Sequence, residues 1–375
     1  MKTTLLAPIL SVLLVLGITT TVTAADVNLP ENMVWSCYDV GSSGYVQVSA
    51  VANAFLKTYD LRVRMMSSGT SIGRLTPLVT GRASVAFLGN EAFFAAQGGY
   101  DFATYKWGPQ DLRTVIGIPT SYPLVTTLKS GIKEVKDLKG KRVAWIVGNP
   151  STNIKLTGIL AFANLTWDDV KKVEFPSYSD GLKALVQGNV DAAGASPTAS
   201  ILYELESSSQ GIFFPQLDPH DEAGWQRLRV YAPFSFPYLE SVGAGIKKDQ
   251  PRWLMGYRYP VVTVRADADP EFVKNLIQAL DETYPLYKDA ASSMPLWNLK
   301  ESSGTPVDVP FHPGAIAYLK EKGLWTDAHQ AWNDEKVAWM EQLKEKWKLA
   351  VTEGKAKKMD KTEFSNYWMK QLETN

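Results

Sequence analysis

From Trp35 onward, short apolar runs alternate with longer stretches in which apolar residues recur every three or four positions. The first pattern predicts strands and the second amphipathic helices. Residues 35–40 form a strand, and Gly41-Ser42-Ser43-Gly44 a turn. Val48, Val51, Phe55 and Leu56 then share one helical face. Residues 61–66 read as a second strand, 67–71 as a turn, and 72–80 as a short helix closed by Gly81. A third strand, 85–88, ends in Gly89-Asn90-Glu91.

The pattern then repeats. Gly41 and Gly148 lie 107 residues apart, and so do Gly81 and Gly188. In the second copy 142–147 is a strand, Gly148-Asn149-Pro150-Ser151-Thr152 a turn, and 154–163 a helix. Residues 170–175, 181–187 and 190–195 follow as strand, helix and strand, the last ending in Ser196-Pro197-Thr198. Two βαβαβ units predict an α/β fold of two lobes, each a mainly parallel sheet flanked by helices. Further strands are expected at 112–118, 123–128 and 261–264, and a helix after Asp269-Pro270. The expected division is 25–129 with 233–325 for the first lobe and 130–232 for the second, so two crossing segments make a hinge. Residues 326–375 form a charged helical extension. Its stripe of Trp332, Trp339, Leu343 and Trp347 is expected to pack on the domain rather than to be displayed to a partner.

Composition narrows the picture. Of 375 residues 45% are apolar and 21% charged, with 39 basic and 39 acidic, so no basic surface for nucleic acid is indicated. Lys2, the apolar run within 5–18 and Val22-Thr23-Ala24 read as a secretory signal peptide cleaved after Ala24, too short in its apolar part to span a membrane. Cys37, the single cysteine, has no disulfide partner and is expected as a small buried hydrophobe. The three histidines lack metal-pair spacing, and no nucleophile elbow, Walker loop or dinucleotide fingerprint occurs. Neither catalytic residues nor a metal or cofactor are expected. Asp168 with Asp169, and Asp218 with Asp221, read as structural carboxylates.

In parallel sheets, ligands bind beyond the carboxyl ends of the strands. Here those turns are rich in Ser, Thr, Asn and Gly, which also serve as ordinary helix caps and turn formers. That so many such turns share one edge of two facing sheets favours a ligand cleft, with helix N-termini and hydroxyls suited to a carboxylate. The candidate contacts in the first lobe are Gly41, Ser42, Ser43, Gly44, Tyr45, Ser68, Gly69, Thr70, Ser71, Asn90 and Glu91. In the second they are Asn149, Ser151, Thr152, Asn153, Tyr178, Ser196, Pro197 and Thr198. Tyr45 and Tyr178 are expected to pack on the ligand body, and Glu91 to accept from an amine or hydroxyl. Arg74 and Lys155 could add a cation to the cleft, but each is expected instead on a solvated helix face.

The segments "SSGTSIGRLTPLVTGRASVAFLGNEAF", "SGIKEVKDLKGKRVAW", "YSDGLKALVQGNVDAAGASPTA" and "VDVPFHPGAIAYLKEKGLW" occur in that order. Together they resemble the TAXI group of solute-binding receptors of tripartite ATP-independent periplasmic (TRAP) transporters, from about Trp35 to Trp325. The resemblance implies a two-lobed, hinged periplasmic binding protein. It would carry a small organic anion, of the dicarboxylate or acidic amino acid class, to TRAP membrane permease subunits. The turns at Gly41, Asn90-Glu91 and Gly148 depart from the group's usual forms. A receptor of an ABC importer of the thiamine-precursor type, and an exported enzyme on the same lobes, stay open as alternatives.

Overall fold

The computed structural model describes residues 27–373. The expected signal peptide and its cleavage point lie outside the described residues. Among the described residues no helix is long and apolar enough to cross a membrane.

The first stretch runs β1 (Asn32–Tyr38), α1 (Ser43–Tyr59), β2 (Arg62–Ser68), α2 (Ser71–Val79), β3 (Val85–Leu88), α3 (Glu91–Gln97) and β4 (Leu112–Ser121). The second runs β5 (Leu124–Thr126), β6 (Arg142–Ile146), α4 (Pro150–Phe162), β7 (Lys171–Phe175), α5 (Tyr178–Val186), β8 (Ala192–Gly194), α6 (Ser200–Ser207) and α7 (Glu222–Tyr231). The chain returns as β9 (Phe236–Glu240), β10 (Arg252–Arg265), α8 (Pro270–Tyr287), α9 (Leu299–Ser302) and α10 (Pro313–Glu321). The extension is α11 (Asp327–Ala356) and α12 (Lys361–Glu373).

Two sheets result. One has the order β2-β1-β3-β10-β4 with β9 on β10; the other is β5-β8-β6-β7. In the first, β1 is parallel to β2 and β3, whereas β10 runs antiparallel to β3 and β4. In the second, β6 is parallel to β7 and β8, and β5 is antiparallel to β8. The trios β2-β1-β3 and β7-β6-β8 are therefore copies of one arrangement. Helices α2 and α5 start and end 107 residues apart. Gly41 (φ 93°) and Gly148 (φ 67°) make the equivalent left-handed turns after β1 and β6.

Several boundaries differ from the sequence reading. Strand β5 belongs to the second sheet, so the first crossing falls at Tyr122-Pro123, not after 129. The cause is burial: Leu124, Val125 and Thr126 are enclosed and complete the edge of β8. Within the returning segment, Ala244 and Ile246 join the second unit's core, and Ala244 N donates to Pro197 O at 2.9 Å. Helix α4 starts at Pro150 rather than 154, because Asn149 caps it and proline suits the first turn. Helix α5 starts at Tyr178 rather than 181, with Ser177 as cap. Leu56 leaves the apolar face of α1 and is exposed, while Val48, Val51 and Phe55 are buried.

Trp35, Phe55 and Phe87 pack on one another in the first unit, with ring centroids 5.4 and 5.2 Å apart. Cys37 is buried in β1, and burial pushes its thiol up to about 12, which keeps it protonated. One apolar cluster continues from the first sheet into α4 and α7, so the units share core. The extension folds back as a pair of helices. Trp339 stacks on Phe93 of α3 at 5.8 Å, and Trp347 meets Trp368 at 4.8 Å. The stripe therefore packs on the domain. Trp368 is fully buried and its Nε1 donates to Gln97 O at 3.2 Å. Trp368→Ala is expected to cost about 3–5 kcal/mol, read as a lower urea midpoint. A change below about 1 kcal/mol would mean that the extension adds little to the stability of the domain.

Candidate functional site

The turns predicted to face one another do so. Ser71 Oγ donates to Asn149 Oδ1 at 2.7 Å, and Asn149 Nδ2 to Gly69 O at 3.3 Å. Tyr178 N donates to Gly69 O at 3.1 Å, and Ser179 N to Asp39 Oδ2 at 3.2 Å. Ser43 Oγ and Thr198 Oγ1 are 2.6 Å apart. The two sheets thus meet edge to edge through the loops at their strand ends. Behind that seam lies a small cavity of about 20 Å³, room for roughly one water.

The predicted residues divide into three groups. Asn149, Ser151, Thr152, Tyr178 and Ser196 line the cavity. Gly69, Ser71, Ser43 and Thr198 hold the seam. The rest serve their own surroundings. Ser42 caps α1 and Thr70 caps α2. Asn153 bonds the backbone of Ile146 through both side-chain atoms, at 2.9 and 2.7 Å. Gly41 and Gly44 shape the first turn: a Cβ on Gly44 would strike the Tyr38 ring. Ser68 gives its carbonyl to Arg74 at 3.1 Å, and Pro197 packs under Gly243. Asn90 is buried and donates to Asp308 Oδ1 at 2.7 Å. Tyr45, expected on the ligand, is half-buried and packs against the core.

The cavity's other walls were not among the predicted contacts. They are Tyr38 at the end of β1, Tyr122 in the first crossing, Tyr257 and Tyr259 on β10, and the cations Arg74 and Lys155. Both cations were expected in solvent, yet each is 2% exposed. Arg74 projects from α2 into an ion pair with Glu91 Oε1 at 2.7 Å and lies over the Tyr38 ring, 4.3 Å from its centroid. Glu91 is likewise not open to a ligand as a whole; only Oε2 lacks a partner. Lys155 lies between the rings of Tyr122 and Tyr257, 4.1 and 4.0 Å from their centroids. Its hydrogen bond is to Ser151 Oγ, at 3.4 Å. Burial drives the lysine down to about 7, with Glu91 and Asp308 pulling the other way. Burial likewise pushes Asp308 up to about 7. The tyrosines stay un-ionised, because burial raises all of them.

The repeat held a signal for these residues. One repeat length separates Val48, on the buried face of α1, from Lys155 on α4. A lysine at the place of a core valine is a buried lysine.

A family model described as "NMT1-like family" matches residues 40–323, most of the chain. The chain belongs to the NMT1-like family. In this NMT1-like protein helices flank both sheets, and the second sheet is mainly parallel as expected; the first is mixed instead, because the returning β10 runs antiparallel to β3, β4 and β9. Solved structures similar to it include the alkanesulfonate-binding protein SsuA from Xanthomonas axonopodis pv. citri bound to MOPS. The identity is 20%, over 78% of this chain and 84% of that one, with a TM-score of 0.43. The periplasmic aliphatic sulphonate binding protein SsuA from Escherichia coli is 17% identical over 78% and 90%, with a TM-score of 0.42. An amino acid ABC transporter substrate-binding protein from Streptococcus pneumoniae bound to L-arginine is 13% identical over 71% and 95%, with a TM-score of 0.41.

A buried ammonium without a carboxylate partner disfavours folding. Its cost is full below pH 7, where Lys155 is charged in both states, and shrinks as pH rises from 7 toward the unfolded value near 10.5. Lys155→Met is therefore expected to raise stability at pH 6 by about 1–4 kcal/mol, a gain that diminishes by pH 9 in urea titrations. An equal gain at both pH values would contradict the assignment.

Proposed function

We propose that this NMT1-like protein is an extracytoplasmic solute-binding receptor that captures a small organic anion between its two lobes, and that it is not an enzyme. The observation that carries the reading is Lys155. It is a buried cation without a carboxylate partner in hydrogen-bonding range, on the helix whose capped N-terminus also faces the cavity. An anion there gains the ammonium, while the α4 first turn has little left to offer, since Pro150 has no N–H and the amides of Thr152 and Asn153 are already held by Asn149. Asn149, Ser151, Thr152, Tyr178 and Ser196 are the proposed contacts from the predicted set. The cavity is too small for an organic anion in this arrangement, so entry requires the lobes to part about the two crossings at 122–123 and 232–235. The periplasm is the proposed location.

Isothermal titration with a panel of mono- and dicarboxylates, sulfonates and acidic amino acids tests this. At least one anion is expected to bind, and its affinity to fall as pH rises from 6 to 9 and Lys155 loses its proton. Saturation at 100 Kd adds about 2.7 kcal/mol of stability. Lys155→Gln is expected to weaken binding at least tenfold. If no anion in the panel binds at pH 6, the receptor reading is overturned.

Delivery to TRAP permease subunits is the finer reading, supported by the ordered segments that resemble the TAXI receptors. An ABC importer is the second reading, since solved structures of similar fold include components of such importers. Uptake in cells separates the two. Collapse by an ionophore with ATP maintained supports TRAP; loss only on ATP depletion supports the ABC importer.

A further inference from the structure

We infer that the cleft selects an aromatic monocarboxylate over an aliphatic dicarboxylate. The inference rests on the anion-binding reading and narrows it.

The first argument is charge. Two cations reach the cavity, but they differ in what they already hold. The Arg74 guanidinium is bound by Glu91 Oε1 at 2.7 Å and by Ser68 O at 3.1 Å, and one face is covered by Tyr38. Among the described residues Lys155 hydrogen-bonds only the Ser151 hydroxyl, at 3.4 Å, besides its contacts with the Tyr122 and Tyr257 rings. One cation is thus left for one carboxylate. Two buried acids, Glu91 and Asp308, lie close enough to Lys155 to act on its proton. A second ligand carboxylate would have no cation left to pair with and would sit near Glu91 in a low-dielectric site.

The second argument is the orphaned oxygens. Glu91 Oε2 and Tyr38 Oη are both buried, and both lack a partner among the described residues. A Cβ placed on Gly89 would lie 2.9 Å from Ser151 Oγ, 3.0 Å from Glu91 Oε2 and 3.4 Å from Tyr38 Oη, so the three converge. Glu91 Oε2 can only accept, which suits a hydroxyl donor and repels a carboxylate.

The third argument is the walls. Tyr38, Tyr122, Tyr178, Tyr257 and Tyr259 contribute five rings to the cavity, drawn from the first sheet, the crossing and the start of α5. Flat, apolar and stiff, these rings favour a planar ligand body. The ligand chemistry that fits all three arguments is a carboxylate on an aromatic ring, with a hydroxyl as the second polar group.

The test is isothermal titration of the full chain at pH 6 with benzoate, 4-hydroxybenzoate, cyclohexanecarboxylate, succinate and glutamate. Expected is at least tenfold tighter binding of 4-hydroxybenzoate than of succinate or glutamate, with cyclohexanecarboxylate at least threefold weaker than benzoate. Tyr257→Leu should remove the preference of benzoate over cyclohexanecarboxylate. Glu91→Gln should narrow the gap to succinate at least threefold. Tighter binding of succinate or glutamate overturns this inference and leaves the receptor reading standing. Equal binding of benzoate and cyclohexanecarboxylate overturns it as well. Silence from all five probes, together with the wider panel, removes the receptor reading itself.

Discussion

The Arg74–Glu91 ion pair is the contact around which the first unit is arranged. Arg74 comes from α2 and Glu91 from the start of α3, so the pair ties the two helices across the end of β3. Arg74 also holds the end of β2 through Ser68 O and covers Tyr38 at the end of β1. Three strand ends are thereby fixed by one guanidinium. Two charges buried this completely persist only because each satisfies the other, and removing either would strand its partner. The tyrosine walls inherit their positions from this pair: Tyr38 lies under Arg74, Tyr259 packs on Tyr38 at 4.8 Å, and Tyr257 stacks on Tyr259 at 5.7 Å. Lys155 comes to this assembly from the other unit, and settles on Tyr257 only where the seam is closed.

The scaffold was largely readable because it is repeated, and the chemistry was largely unreadable because it is not. Turn glycines, helix α2 against α5 and the strand order all recur at one offset. The residues that make the cavity stand where the two copies differ. One repeat length on from Arg74 is Gly181, and from Glu91 it is Thr198; one repeat length before Lys155 is Val48, and before Tyr178 it is Ser71. Gly181 packs where a side chain would meet Ile146, so the second copy has no room for an equivalent of Arg74. Hydroxyl-rich turns drew attention in the sequence, but a Ser or Thr there caps its helix whether or not a ligand exists. Tyr122, Tyr257 and Tyr259 gave no periodic signal, since two sit on a strand buried throughout and one in a crossing. The inference from parallel sheets to strand ends pointed to the edge where the small cavity lies, and could not say which side chains reach over it.

The extension bears on the same pair. Trp339 stacks on Phe93, two residues along α3 from Glu91. Gly108 lies so close to Trp347 that a Cβ there would sit 2.4 Å from the indole. The helix that begins with the buried carboxylate is thus held from behind by a tryptophan stripe. In the proposed receptor this matters because precise placement of Glu91 sets which oxygen is left unpaired and where it points.

The crossings carry the remaining logic. Tyr122 lies in the first crossing, one residue beyond β4, and its ring is one of the two faces on Lys155. Tyr257 belongs to the first sheet and Lys155 to the second unit, so the proposed parting of the lobes would take the ammonium off Tyr257. Water then reaches a group whose proton affinity was lowered by burial, and the lysine takes up a proton near neutral pH. Closure over a carboxylate reverses the solvation but keeps the charge, because the anion replaces water as partner. On this reading the tyrosine faces hold the ammonium in the closed form, and the ligand's negative group decides whether closure retains its proton.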